Sequence, residues 1–277
     1  MPRSKVRWTA AQLKALGALL LLVVLLLAYL LWQQPWAIPS EHLAMGNPSG
    51  ASVSTPNNYL MQKPQYALSY NNSTRIPNWV SWQLNTDWLG DAPRQNDFRP
   101  DESLPRGWYQ VVPQDYTGSG YDRGHMIPSG DRTRTAEDNS ATFLMTNILP
   151  QTPDNNQGPW AVLESECRTL AREGKELYIL SGGYGRRRTI AEGRVIPPQH
   201  LWKVIVVIDE PSRGIRGVTP QTRVIAVDMP NEQGIRMADW RTFRVSVDAL
   251  EATTGYDFLS NLPQALQRTL EAAVDNQ

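Results

Sequence analysis

The chain has 277 residues, 41% of them apolar and 19% charged, which suits a globular protein with a sizeable core and excludes a disordered one. The single cysteine, Cys167, excludes an intrachain disulfide, and with only three histidines (His42, His125 and His200) no cysteine-rich zinc site can form. Lys plus Arg and Asp plus Glu number 27 each, so the formal net charge is zero and a polyanion cannot be gripped by bulk charge.

The charge is unevenly spread. Residues 1–14 hold Arg3, Lys5, Arg7 and Lys14 and no acid, and read as a basic cytoplasmic tip. Residues 15–32, ALGALLLLVVLLLAYLLW, carry no charge. Roughly 20 apolar residues span a bilayer as a helix, so this run predicts a transmembrane signal-anchor. The basic flank stays inside, and Tyr29, Trp32 and Trp36 fall where an outer aromatic belt lies. That orientation puts the rest of the chain outside the cytoplasm, in the periplasm or beyond. A cleaved signal peptide and a secreted product form the alternative. Against it, the run is longer than the usual apolar core of about 7–15 residues, and no small-x-small site follows it directly. Beyond residue 32 there are 23 basic and 27 acidic residues, a balance of −4.

Residues 33–55 are rich in Pro, Ser, Gly and Asn and read as a linker. No second linker and no internal repeat follows, so 56–277 is expected to be one domain. Tyr66–Tyr70 and Trp79–Leu84 flank a turn-rich stretch and predict a hairpin. Gly158 and Pro159 precede Trp160, Leu163, Cys167 and Leu170, spaced as on one helix face. Glu176–Ser181, Leu201–Asp209 and Arg223–Asp228 read as strands, and 247–254 and 262–274 as C-terminal helices. Strands and helices mix without βαβ alternation, which favours α+β. No phosphate-binding glycine loop and no Gly-x-Ser-x-Gly elbow occurs.

The chemistry gathers in two stretches. The first is Tyr121-Asp122-Arg123-Gly124-His125. The second, Thr146 to Glu164, contains Asn147, Gln151 and Asn156. Histidine serves as a general base near neutral pH without a large pKa shift. An asparagine amide is a neutral oxygen donor, which suits Mg²⁺, an ion that keeps several waters. Arginine neutralises charge growing on a phosphoryl oxygen. Base, metal and cation together suit phosphodiester cleavage. If one helix starts near Asp154, Asn156 and Glu164 are roughly 80° apart around its axis and share a side.

DRGH followed by TNILPQTPDNNQGPWAVLE resembles the DNA/RNA non-specific endonuclease family, the ββα-metal (His-Me finger) nucleases. NWVSWQL at 78–84, the 94–101 segment, PQHLWKVIV at 198–206 and FRVSVDALEATTGYDFLSNLP at 243–263 extend the likeness over about 56–265. The resemblance implies a ββα-metal site on a central, mainly antiparallel sheet flanked by helices. It implies a Mg²⁺-dependent hydrolase, with Mn²⁺ a possible substitute, that cuts DNA and RNA endonucleolytically and leaves 5′-phosphates. It makes His125 the general base, Asn156 the metal ligand and Glu164 the holder of a metal-bound water. Asn147 and Gln151 shape the site, and Asp122 and Arg123 support it. A phosphate-contacting arginine is expected upstream: Arg94, with Arg99 as rival.

Other residues have plainer readings. Glu164 can instead pair with Arg168 at i+4. His42 is expected to be solvated in the linker, His200 to be structural and Cys167 to be buried and inert. Arg186, Arg187 and Arg188 form either a phosphate grip or a solvated loop. The competing function is a catalytically silent nucleic-acid-binding module of the same fold, or a nuclease held in check by a protein inhibitor.

Overall fold

A computed structural model describes residues 40–277, together with residues 9–11, 16, 17, 19 and 23. It divides into units Met1–Pro39 and Ser40–Gln277. The expected basic tip (1–14) and anchor (15–32) lie mostly outside the described residues. Among the described residues no helix is long and apolar enough to cross a membrane.

A seven-stranded antiparallel sheet forms the second unit's frame. Its strands are β1 (Tyr59–Gln62), β2 (Ala67–Asn71), β3 (Ile76–Leu84), β6 (Glu176–Tyr184), β7 (His200–Ile208), β8 (Arg223–Pro230) and β9 (Arg244–Val245), hydrogen-bonded in that order. The expected hairpin is β2–β3, with a bulge at Ser69/Tyr70. A separate antiparallel pair joins β4 (Asp122–His125) to β5 (Ile148–Gln151). The helices are α1 (Ala136–Ala141), α2 (Pro153–Asn156), α3 (Pro159–Arg172), α4 (Val247–Thr254) and α5 (Gln264–Glu271). The architecture is the expected α+β with a mainly antiparallel sheet.

The middle strands are apolar on both faces because both faces are covered. Along β7, Leu201, Ile205 and Val207 join one core with Trp160, Leu163 and Cys167 of α3 and Ile148 and Leu149 of β5. Trp202, Val204, Val206 and Ile208 join the opposite core with Val247, Leu250, Phe258 and Leu270. This period-two division places β4, β5 and α3 on one face and the C-terminal helices on the other. Cys167 is buried as expected, and burial pushes its thiol up to about 12.

Three boundaries differ from the sequence reading. The domain begins at Ser40 rather than near 56, because Met45 and Ala51 belong to its core. His42 is therefore buried, not solvated. Its Nε2 lies 2.9 Å from the Pro64 carbonyl, and its Nδ1 accepts from the Gln83 amide at 3.3 Å. Nor does one helix run from 154 onward. Gly158 interrupts it, where a Cβ would lie 2.6 Å from the Arg236 carbonyl oxygen, and Pro159 opens α3 as a new helix. The 80° relation between Asn156 and Glu164 thus does not apply, since they sit on separate helices. The last helix is also shorter than expected, ending at Glu271.

Candidate active site

Asp122, Arg123, Gly124 and His125 form β4, paired in register with Gln151, Pro150, Leu149 and Ile148. α2 follows β5 directly, giving a β–β–α unit. Gly124 is required here, because a Cβ would come within 2.6 Å of Gln151 Cβ. A short strand of four residues with no hydrophobic alternation gives little period-two signal, which is why β4 and β5 were not legible in the sequence.

His125 is 8% exposed. Its ring meets Phe143 at 4.9 Å and Phe98 at 5.2 Å between centroids. Its Nε2 is buried without a hydrogen-bond partner among the described residues. Burial, and then the charges of Arg94 and Arg123, hold its imidazole down to about 3, so it stays neutral and basic in form at pH 7.

Asn156 is half-buried. Its Nδ2 donates to Asp122 Oδ2 at 2.9 Å, and Gln157 Nε2 donates to the same oxygen at 2.8 Å. With the nitrogen so committed, the side-chain oxygen of Asn156 is the donor atom left for a ligand. The adjacent Asn155 is wholly buried, tied to the Pro230 carbonyl and to Gln151 Nε2.

Asn156, Asp122, Arg94, Arg123, Phe98 and Tyr121 line a cavity of about 360 Å³. Arg94 stands over the Phe143 ring at 4.8 Å and donates to Ser129 Oγ. Asn139 sets its loop: Oδ1 accepts from the Gln95 amide at 2.9 Å, while Nδ2 donates to the Ser129 carbonyl at 2.8 Å. Arg99 is spent elsewhere, on Asp97 at 2.8 Å and the Ser140 carbonyl at 2.9 Å. Arg123, expected to support the site, lines the cavity itself with its guanidinium 4.3 Å from the Phe98 centroid.

Glu164 does not pair with Arg168, which binds Asp131 at 3.1 Å. Its nearest cation is Lys203 Nζ at 3.9 Å. Lys203 is 1% exposed and lies 4.1 Å from the Trp160 centroid. Burial pushes the Glu164 carboxyl up to about 7, with Lys203 pulling it down and Asp131 pushing it up. Arg94 acts on both His125 and Glu164, so these three groups share one electrostatic neighbourhood.

Asn147 does not reach the cavity. It is fully buried, with Nδ2 donating to the Ile127 and Thr142 carbonyls and Oδ1 accepting from the Ile127 amide. It fastens the chain on either side of β4 and β5. Gln151 is equally buried and holds Asn155.

Residues 41–265 match the family model described as DNA/RNA non-specific endonuclease. The chain belongs to this family. A nuclease from Nostoc sp. is 57% identical over 239 residues, 86% of this chain and 87% of that one. Mouse mitochondrial nuclease EXOG is 33% identical over 72% of this chain, which spans 56% of the mouse protein. Human mitochondrial endonuclease G is 30% identical over 73% of this chain and 70% of its own. A crystal structure of an EndoG/EndoGI complex superposes with a TM-score of 0.68 at 25% identity, over 82% of this chain and 95% of that one. The protein is thus a DNA/RNA non-specific endonuclease, a hydrolase.

In this endonuclease a second cavity, of about 820 Å³, adjoins the first and shares Thr117 and Tyr121 with it. Arg188 lines it, whereas Arg187 lies 3.9 Å from Glu232. Arg188 thus belongs to a cavity wall and Arg187 to an ion pair. His200 pairs with Asp228 at 2.9 Å and stacks on Tyr184, in keeping with a structural role. Phe98, Phe143, Asn139 and Lys203 escaped the sequence reading, because their parts depend on contacts between distant segments.

Proposed function

We propose that this endonuclease cuts DNA and RNA by Mg²⁺-assisted hydrolysis with His125 as general base. The observation that carries this reading is the buried, neutral His125, whose ring packs on Phe98, a wall of the cavity that Arg94, Arg123 and Asn156 also line. Its imidazole takes a proton from the attacking water. Arg94 and Arg123 receive the scissile phosphate and offset the charge that grows on it. Phe98 and Phe143 fix the imidazole plane and keep bulk water from it.

The donor set suits a hard divalent cation. The Asp122 bond occupies the Asn156 nitrogen and leaves its side-chain oxygen as a donor on the cavity wall, and Glu164 adds a buried carboxylate in the same neighbourhood. Asn156 would hold Mg²⁺ directly, and Glu164 would act from its outer sphere. When bound, the cation polarises the phosphoryl oxygen and stabilises the leaving 3′-oxygen. Asp122 acts through Asn156 and is a positioning residue. The products carry 5′-phosphates.

We further propose that residues 15–32 anchor the protein in a membrane with the nuclease domain outside the cytoplasm. The uncharged run and the basic residues before it support this. Protease added to intact spheroplasts would then remove the domain; full protection, or a soluble fragment starting after residue 32, contradicts anchoring. Control by a protein inhibitor is a second reading, favoured by the likeness to the structure of EndoG in its inhibitory complex with EndoGI.

The deciding assay incubates residues 40–277 with plasmid and with RNA, in Mg²⁺ and in EDTA. Cleavage of both in Mg²⁺ and of neither in EDTA is expected. Cleavage of one substrate only, or undiminished cleavage in EDTA, overturns the reading.

A further inference from the structure

On the sheet face opposite the active site, α4 and α5 bring three carboxylates together. Asp248 lies in the first turn of α4, Glu251 lies one turn on, and Glu271 is the last residue of α5. One oxygen from each lies within 4.8 Å of the others. Glu271 is 7% exposed, and its Oε1 is buried without a hydrogen-bond partner. Glu251 Oε1 accepts from the Phe258 amide at 2.9 Å, which fixes that carboxylate and leaves its second oxygen for another contact.

The electrostatics of this cluster are one-sided. The charged groups acting on Glu271 are Glu251, Asp257 and Asp248, all acidic. Those acting on Glu251 are Asp257 and Asp248. No lysine or arginine answers them among the described residues. The C-terminal end of α5 adds the negative pole of its helix beside Glu271. Like charges this close, with Glu271 buried among them, repel unless something neutralises them. A proton on Glu271 would relieve part of the repulsion and leave its other oxygen bare. A cation would satisfy all three carboxylates and the orphaned Oε1 at once.

We propose that Asp248, Glu251 and Glu271 form a structural site for a divalent cation, Ca²⁺ by preference, that clamps α4 to α5. Three carboxylates supply three to six oxygens, and water completes the six to eight that Ca²⁺ takes. Mg²⁺ demands near-ideal octahedral geometry and holds its own waters more tightly, so it fits less well. The site is separate from the catalytic one in residues and in sheet face, and α5 lies almost wholly beyond the region matched by the family model.

Thermal unfolding of residues 40–277 tests this, with the Asn156→Ala variant used to silence the proposed catalytic cation site. In Asn156→Ala at pH 7.5, 10 mM CaCl₂ is expected to raise Tm by about 5 °C or more over EDTA, as follows for a ligand near a hundred times its Kd. Equilibrium dialysis should find one Ca²⁺ per chain. Adding Glu271→Gln, or Asp248→Asn at the exposed end, should abolish the shift and the binding. Two results overturn the proposal. One is an equal shift in the Glu271→Gln and Asp248→Asn backgrounds. The other is no shift in Asn156→Ala, together with a Glu271→Gln protein that melts higher than its parent in EDTA, which assigns a proton to Glu271. Neither outcome depends on whether the enzyme cuts nucleic acid.

Discussion

Asn156 gives its amide hydrogens to Asp122 across 2.9 Å, so the first residue of DRGH decides which way the last residue of α2 points its oxygen. An unfastened asparagine presents nitrogen or oxygen with similar ease. Removing Asp122 should therefore act on metal affinity more than on the chemical step. Loss of such an outer partner typically costs about 10–100-fold in affinity. Asp122→Ala is expected to raise the Mg²⁺ concentration at half activity by about that factor. A midpoint equal to wild type, in a Mg²⁺ titration of plasmid cleavage, removes the positioning role from Asp122.

The two upstream arginines make opposite predictions. Arg94 lines the cavity, while Arg99 is held by Asp97 and the Ser140 carbonyl. Arg94→Ala should lower kcat/KM by about 10²–10³-fold, the usual cost of one charge-stabilising donor. Arg99→Ala should stay within a few-fold and lower Tm instead. Kinetics on a short oligonucleotide, with melting curves alongside, would reverse the assignment if the losses were exchanged.

Glu164 sets a pH dependence for the metal. Its carboxyl titrates near 7 because it is buried. Below that pH it is protonated, and cation binding must expel the proton. Mg²⁺ affinity should fall with acidity below pH 7, approaching about tenfold per unit at most. Glu164→Gln should bind Mg²⁺ more weakly and with little pH dependence between 5.5 and 8. Calorimetric titrations at several pH values check this, and an unchanged slope in the variant contradicts it.

His42 sets a pH dependence for stability. Burial holds its imidazole down to about 4, against an ordinary value of 6.5. Between these values the unfolded chain binds a proton that the folded chain refuses, so stability falls as pH falls through this window. The contribution is nil above 6.5 and complete near 4, on the order of 3 kcal/mol. His125, held lower still, acts in the same direction. Urea unfolding at pH 7.5 and 4.5 should show the loss, and His42→Asn should shrink it. An equal loss in the variant places the acid sensitivity elsewhere.

Much of the fold could be read directly. The runs at 176–181, 201–209 and 223–228 became the sheet's central strands, because a strand covered on both faces is apolar throughout. The stripe Trp160, Leu163, Cys167 became the buried side of α3 for the same local reason. β4 and β5 were hidden, since polar residues that serve the site break the alternation that marks a strand.

Composition, periodicity and ordered motifs determined the fold class, the family and the two short stretches that bear the chemistry. They work because burial imposes its pattern on neighbours in the chain. Tertiary structure alone decided that Arg94 rather than Arg99 faces the cavity, that Asn147 ties down loops, that Arg123 lines the site and that His42 is core. Each of those outcomes depends on which distant carbonyl, carboxylate or ring a side chain meets. Such meetings are settled by the register of strands and the packing of helices, and no spacing along the chain encodes them.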